Sequence, residues 1–164
     1  MLLRGYEHPK SLTVLGVDDY SRLREKHPGV RFVTCRGGYF PFADDSFDIC
    51  YSNAVIEHVG EREDQRQFIG EMVRVARQGF FTTPNRWLPL EVHTRLPAVH
   101  YLPRRYFWKV AQAFGRGDSA RGVNLIRLGL LKKMMKCSRV KHFPIIPNRV
   151  WGMTATYSVC WTRS

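Results

Sequence analysis

Three consecutive segments between Phe47 and Asn85 restrict the fold more than any other feature of the chain. FDICYSNAV (47–55) is a short run, nearly continuous in apolar residues. Residues 61–78 then follow helical spacing, with Phe68, Ile69, Met72, Val73 and Ala76 on one face. Glu61, Glu63 and Asp64 occupy the first turn, Arg74 and Arg77 the last, and Gly79 stands where a C-cap glycine belongs. GFFTTPN (79–85) reads as a second strand stopped by Pro84. Strand, helix, strand in this order demands a right-handed crossover, and strands so joined pair in parallel.

The flanking segments extend the same pattern. SLTVLGVDD (11–19) is a β-branched run ending in two acids, and SRLREKHPG supplies a helical turn or two before Pro28-Gly29. RFVTC (31–35) is another short strand, broken by Gly37-Gly38. All three upstream strands lack polar alternation, which suits parallel strands buried on both faces. Downstream, 102–115 and 123–136 read as basic amphipathic helices joined by GRGDSARG. VKHFPII (140–146), a turn at Pro147-Asn148 and TATYSVCW (154–161) then form two strands. Their link is too short for a crossover helix, so they pair antiparallel. In the last run Ala155, Tyr157, Val159 and Trp161 alternate with small polar residues and Cys160, as in a half-buried strand. The 164 residues are enough for one domain, 1–164, with a basic helical insertion or lid at 86–137.

Charge is unevenly spread. Residues 1–82 hold 11 Lys/Arg against 12 Asp/Glu, while residues 83–164 hold 15 Lys/Arg against only Glu91 and Asp118. A basic half implies an anionic partner, whether nucleic acid, an anionic membrane surface or a phosphorylated substrate, unless it is merely a solvated face. YFWK (106–109) interleaves aromatics with a cation, as a nucleic-acid patch would. The two basic helices suit peripheral membrane contact. Alternatively Phe107, Val110 and Ala111 pack onto the sheet as a lid. Cys35, Cys50, Cys137 and Cys160 form no Cys-x-x-Cys pair and read as idle thiols. There is no H-E-x-x-H, and His93 and His100 are too far apart for a one-face metal pair, so no metal site is expected. The sequence has no apolar span long enough for a bilayer and no secretory h-region near Met1, so a cytoplasmic protein is expected. A dehydrogenase-type dinucleotide fold would require a G-x-G-x-x-G loop, which the sequence lacks.

FPFADDSFDICYSNAVIEHV (40–59) resembles the signature of type-11 class I S-adenosylmethionine-dependent methyltransferases. RFVTCRGGYFPF resembles their third strand and following loop, LTVLGVDD their second strand, and TTPNRWLPLEVHTRLPAVHYLP a segment found after their fifth strand. The resemblance, from about Leu12 to Trp161, implies an α/β fold: a Rossmann-like, mostly parallel sheet with helices on both faces, closed by a C-terminal antiparallel hairpin. It implies S-adenosylmethionine as cofactor and methyl transfer to a small or anionic acceptor. Asp18 matches the acid that accepts the ribose hydroxyls, although an acid opening a turn beside Asp19 would look the same. Arg36, Gly37 and Phe40 fall on the adenine loop, and Ser52 and Asn53 near the methionine end. Glu57, Asn85, Trp87 and His100 border the acceptor pocket; His58 and His93 are the candidates for catalysis. His58 equally suits a role in orienting a loop, and His93 that of a surface histidine. Asp48 is read as a loop tie.

Two departures accompany the resemblance. The family's acidic, glycine-rich cofactor turn precedes the segment like Leu12–Asp19, and MLLRGYEHPKS contains none. The resemblance therefore implies a truncated copy whose first, central strand and cofactor loop are missing, with weakened cofactor binding. The strands on either side of that gap then either face it or pair with each other, and an exposed edge invites oligomerisation. Secondly, Arg36 replaces an acid that accepts from the adenine amino group, and a guanidinium has no acceptor. The competing reading is a non-enzymatic basic module, for an anionic membrane surface or nucleic acid, on a degenerate methyltransferase fold.

Overall fold

Strands form where the apolar runs are, and helices or short turns connect them. A computed structural model of the chain describes residue 8 and residues 11–88, 101–115 and 123–163. They belong to two units, Met1–Pro41 and Phe42–Ser164.

In the first unit β1 (Thr13–Gly16) lies parallel to β2 (Arg31–Thr34), with Thr13 opposite Arg31 and Gly16 opposite Thr34. The connection is α1 (Ser21–Lys26). Asp19 turns the chain into it: its Oδ1 accepts from Ser21 Oγ at 2.6 Å and from Ser21 N at 3.0 Å. Those bonds hold the Asp19 carboxyl below the usual carboxylate range. Arg24 Nη2 donates to Phe32 O at 2.8 Å, and the Tyr20 ring lies 5.4 Å from that of Phe32, fixing the helix against β2. Val30 and Phe32 are the buried apolar residues among those described in this unit.

The second unit contains β3 (Phe47–Asn53), a 3₁₀ turn (Ile56–His58), α2 (Arg62–Val75), β4 (Ala76–Pro84), α3 (Arg104–Ala113), α4 (Leu128–Cys137), β5 (Ile145–Val150) and β6 (Met153–Thr162). Its sheet runs β3-β4-β6-β5. β3 and β4 are parallel, from Phe47 opposite Ala76 to Asn53 opposite Thr82, as the strand–helix–strand pattern requires. β6 is antiparallel to both β4 and β5. Ile69, Met72 and Val73 of α2 are buried, as are Phe81, Leu131, Met135, Val159 and Trp161. The helical face read from the sequence is the core face of α2 at Ile69, Met72 and Val73, whereas Phe68 is half-buried and Ala76 already belongs to β4.

Five local expectations are corrected. The helix ends at Val75 and β4 starts at the next residue, so Gly79 is a strand residue and no C-cap. It lies opposite Trp161, and a Cβ there would come within 2.0 Å of the indole ring. The hairpin turns at Trp151-Gly152, both left-handed at φ 49° and 77°, instead of at Pro147-Asn148. Those two residues sit within β5, an outer strand in which a missing N–H is tolerated. Residues 140–144 contribute one bridge, His142 to Thr162, in place of a strand. Finally, β3 is not buried on both faces: Ile49 is 69% and Tyr51 52% exposed, with Tyr51 stacked on Phe80 at 5.6 Å. Residues 123–127, expected to be helical, precede α4 as extended chain.

Candidate functional site

Parallel strands aim their carboxyl ends at one edge of the sheet, where the following loops converge. In the second unit these ends are Asn53 and Pro84. Thr82 Oγ1 donates to Asn53 Oδ1 at 2.6 Å and accepts from Ala54 N at 3.1 Å, so the two strand ends are tied side chain to side chain. Ser52, one residue earlier, is buried opposite Phe81. Glu57 is fully buried in the 3₁₀ turn, whereas His58, at its end, is exposed.

The loop after β3 is held by α2 and by the segment before α4. Gln65 Nε2 donates to Ile56 O at 3.2 Å and to Asn124 O at 2.8 Å. Asn124 returns two bonds, N to Glu57 O at 2.7 Å and Nδ2 to Gly60 O at 2.8 Å. Gly60 has φ +126°, a left-handed conformation that glycine accepts readily, and Asp64 Oδ2 accepts from Glu61 N at 2.8 Å in a capping box that starts α2.

After β4, Asn85 is buried with both ends of its amide engaged. Its Nδ2 donates to Thr154 O at 2.8 Å and its Oδ1 accepts from Trp87 N at 3.1 Å. It thereby fixes the course of Arg86 and Trp87. Trp87 is 57% exposed; the Tyr101 ring lies 6.0 Å from it and the Arg127 guanidinium 5.3 Å over it. Beside these groups is a cavity of about 680 Å³. Arg62, Arg86 and Arg127 line it, with Trp87, Leu102 and Phe107 among its apolar walls; Glu61 is its one carboxylate among the described residues. Burial, and then the charges of Arg127 and Arg62, pull the Arg86 guanidinium below the ordinary arginine value. A second basic cluster, Arg77, Arg139, Lys141 and Arg163 around Asp45, lies where β4 begins and β6 ends.

In the first unit Asp18 is exposed two residues beyond β1, and its carboxylate accepts no hydrogen bond from the described residues. Its backbone carbonyl accepts from Thr34 Oγ1 at 3.3 Å. Arg36 is exposed and Phe40 half-buried on the loop after β2. Gly37 has φ +107° with open space around it, so backbone conformation, and no close neighbour, calls for glycine there. His93 and His100 lie outside the described residues. Of the sequence-derived residues, Ser52, Asn53, Glu57, His58, Asn85 and Trp87 therefore belong to the second unit, and Asp18, Arg36, Gly37 and Phe40 to the first.

Sequence reading missed Gln65, Asn124, Arg62 and Arg127. Gln65 left a signal, a polar residue four positions before Ile69 on the apolar helical face. The two arginines left none, because only the fold brings them to one cavity.

Known proteins share the fold, and part of the sequence matches a known family. A SAM-dependent methyltransferase of Methanosarcina mazei superposes with TM-score 0.55 at 15% identity, covering 94% of this chain and 84% of that one. The N-methyltransferase NodS of Bradyrhizobium japonicum, solved with S-adenosyl-L-homocysteine, gives 0.50 at 9% identity, covering 92% and 65%. These likenesses show that the chain has the fold of the class I S-adenosylmethionine-dependent methyltransferases. Within that class, residues 7–81 match the type-11 methyltransferase-domain family. An uncharacterised methyltransferase of Mycobacterium sp. (strain JLS) is 44% identical over 62 residues, which are 34% of this chain and 23% of that relative. The match therefore spans less than a quarter of the relative's length. Among the described residues no helix is long and apolar enough to cross a membrane.

Proposed function

We propose that the chain takes part in transfer of a methyl group from S-adenosylmethionine to an acceptor held at the carboxyl ends of β3 and β4. The observation that carries this reading is Asp18, a carboxylate unclaimed by the described residues at the carboxyl end of a parallel strand, inside the matched stretch 7–81. The residues present fit the cofactor at its ribose end, where Asp18 would accept both hydroxyls and the left-handed Gly37-Gly38 turn would shape the adenine loop. The second unit, taken by itself, offers Ser52 and Asn53, the latter tied to Thr82, as polar side chains at the carboxyl end of a parallel strand. When bound, S-adenosylmethionine supplies a methyl carbon activated by its sulfonium. The protein's own contribution is then to position the acceptor and exclude water. Residues of 86–137 line much of the cavity, which supports reading that stretch as the cover of the acceptor. His58, exposed at the end of the 3₁₀ turn, and His93 are the groups proposed to take a proton from it.

Calorimetric titration of S-adenosylhomocysteine into the purified chain tests the reading. Binding weakened at least tenfold in Asp18→Ala is expected, since charge-assisted hydrogen bonds contribute roughly 1.5–3 kcal/mol each. No binding by a chain that is folded by circular dichroism overturns it.

A further inference from the structure

The walls of the larger cavity describe a ligand. Three arginines from three separate places meet there: Arg62 from the first turn of α2, Arg86 two residues after β4, and Arg127 immediately before α4. Glu61 is the one carboxylate among the described lining residues, and its side chain already serves the capping box of α2. Arg86 lies within electrostatic reach of Arg127 and Arg62, and guanidinium groups recognise carboxylate and phosphate oxygens as pairs. Trp87, Leu102, Phe107 and Leu128 are among the apolar part of the cavity's lining, which an inorganic ion alone would leave unused. A volume of about 680 Å³ accommodates a molecule of metabolite size.

We propose that this cavity binds an amphiphilic organic anion, a carboxylate or phosphate group on an apolar body, and that this anion is the methyl acceptor. The arginines hold its charged end, and Trp87 and Phe107 flank its apolar body. The acceptor role rests on the methyl-transfer reading above; the anion site rests on the cavity.

Octyl phosphate, octanoate and the uncharged octanol are the probes, each titrated into the full chain without cofactor. Binding of the two anions at least tenfold tighter than octanol is expected. Arg86→Gln/Arg127→Gln, which keeps much of each stem, is expected to lose at least tenfold in anion affinity. Arg139→Gln/Lys141→Gln removes the same charge at the other cluster and is expected to bind as wild type. Equal loss in both double variants, or equal affinity for octanol and octyl phosphate, overturns the proposal. So does binding to phosphatidylglycerol vesicles with none to monomeric octyl phosphate, which would make the partner a membrane surface. Should the cavity variant not fold, the wild type decides: its octyl phosphate affinity must fall as sodium chloride rises from about 50 to 500 mM, while octanol binding must not. S-adenosylhomocysteine titrated in parallel separates the two claims. Anion binding without it retains the cavity assignment and removes the acceptor role; the reverse result overturns the anion site alone.

Discussion

Gly79→Ala is the sharpest test of the packing. In the native sheet Gly79 faces Trp161 across the β4–β6 ladder, and an added methyl carbon would lie 2.0 Å from the nearest ring carbon. Carbon atoms rest at about 3.5–4.0 Å, so the ring must retreat by roughly 1.5–2 Å. It has little room to do so, being 2% exposed with the Phe81 ring 6.1 Å away. Forcing a group into a packed core costs about 1–3 kcal/mol, rising toward ~3–5 kcal/mol if the indole is expelled. For a chain of this size that lowers the melting temperature by roughly 2–20 °C. Urea and thermal unfolding followed by far-ultraviolet circular dichroism measure it. The decisive comparison is the same substitution in a Trp161→Leu background. Gly79 is absent from the left-handed positions, so alanine strains no backbone there and favours the strand by about 0.5–1 kcal/mol. Gly79→Ala should therefore become neutral or stabilising once the indole is gone. An equal loss in both backgrounds would refute the account of Gly79 as the seat of Trp161.

Further expectations concern single side chains. Arg74 binds Glu71 through Nε at 2.8 Å and Nη2 at 2.7 Å, and Asp44 and Phe42 O through Nη1, both at 2.8 Å. Arg74→Leu leaves the Glu71 carboxylate, 5% exposed, without that cation; because Arg74 is itself 27% exposed, we expect a loss of about 1–3 kcal/mol in urea unfolding, partly restored by Glu71→Gln. Asn85→Ala should lose about 1–3 kcal/mol by leaving Thr154 O and Trp87 N without their partner; a change below the error of chemical unfolding would argue that water replaces the amide. Burial pushes the Cys50 thiol up to about 11, so at pH 8 only about 0.1% is thiolate. Iodoacetamide followed by peptide mass spectrometry should therefore label exposed Cys137 well before Cys50, with Cys50 labelling accelerating as pH rises toward 11.

The β3–α2–β4 unit was legible because a nearly continuous apolar run gives way to 3.6-residue spacing and then to a second strand-like run within 40 residues, and the core face of α2 follows directly from Ile69, Met72 and Val73. Gly79 misled because a glycine after a helix usually ends it, whereas here a tryptophan 82 residues away requires the space. Pro147-Asn148 misled for the opposite reason: a strong local turn signal was overridden by pairing with Tyr157 and Thr156, and the turn fell on Trp151, a residue with no turn preference. Asp18 was singled out by its match to a family position, and the strand expected before it is β1, which ends two residues earlier. The arginine-lined cavity could not, since 24 and 41 residues separate its three cations along the chain.

The thinness of the first unit has a thermodynamic consequence. Two four-residue strands and a six-residue helix bury only Val30 and Phe32 among the described residues, which is marginal for independent stability. Its amides should be among the earliest in the chain to exchange with solvent. On the proposed reading, a ligand held by Asp18 supplies part of the free energy that keeps this segment ordered, so measured affinity is intrinsic affinity reduced by the unfolded fraction. Recognition at that end and local folding become one equilibrium, visible as a heat-capacity change on binding beyond what the ligand's own surface accounts for.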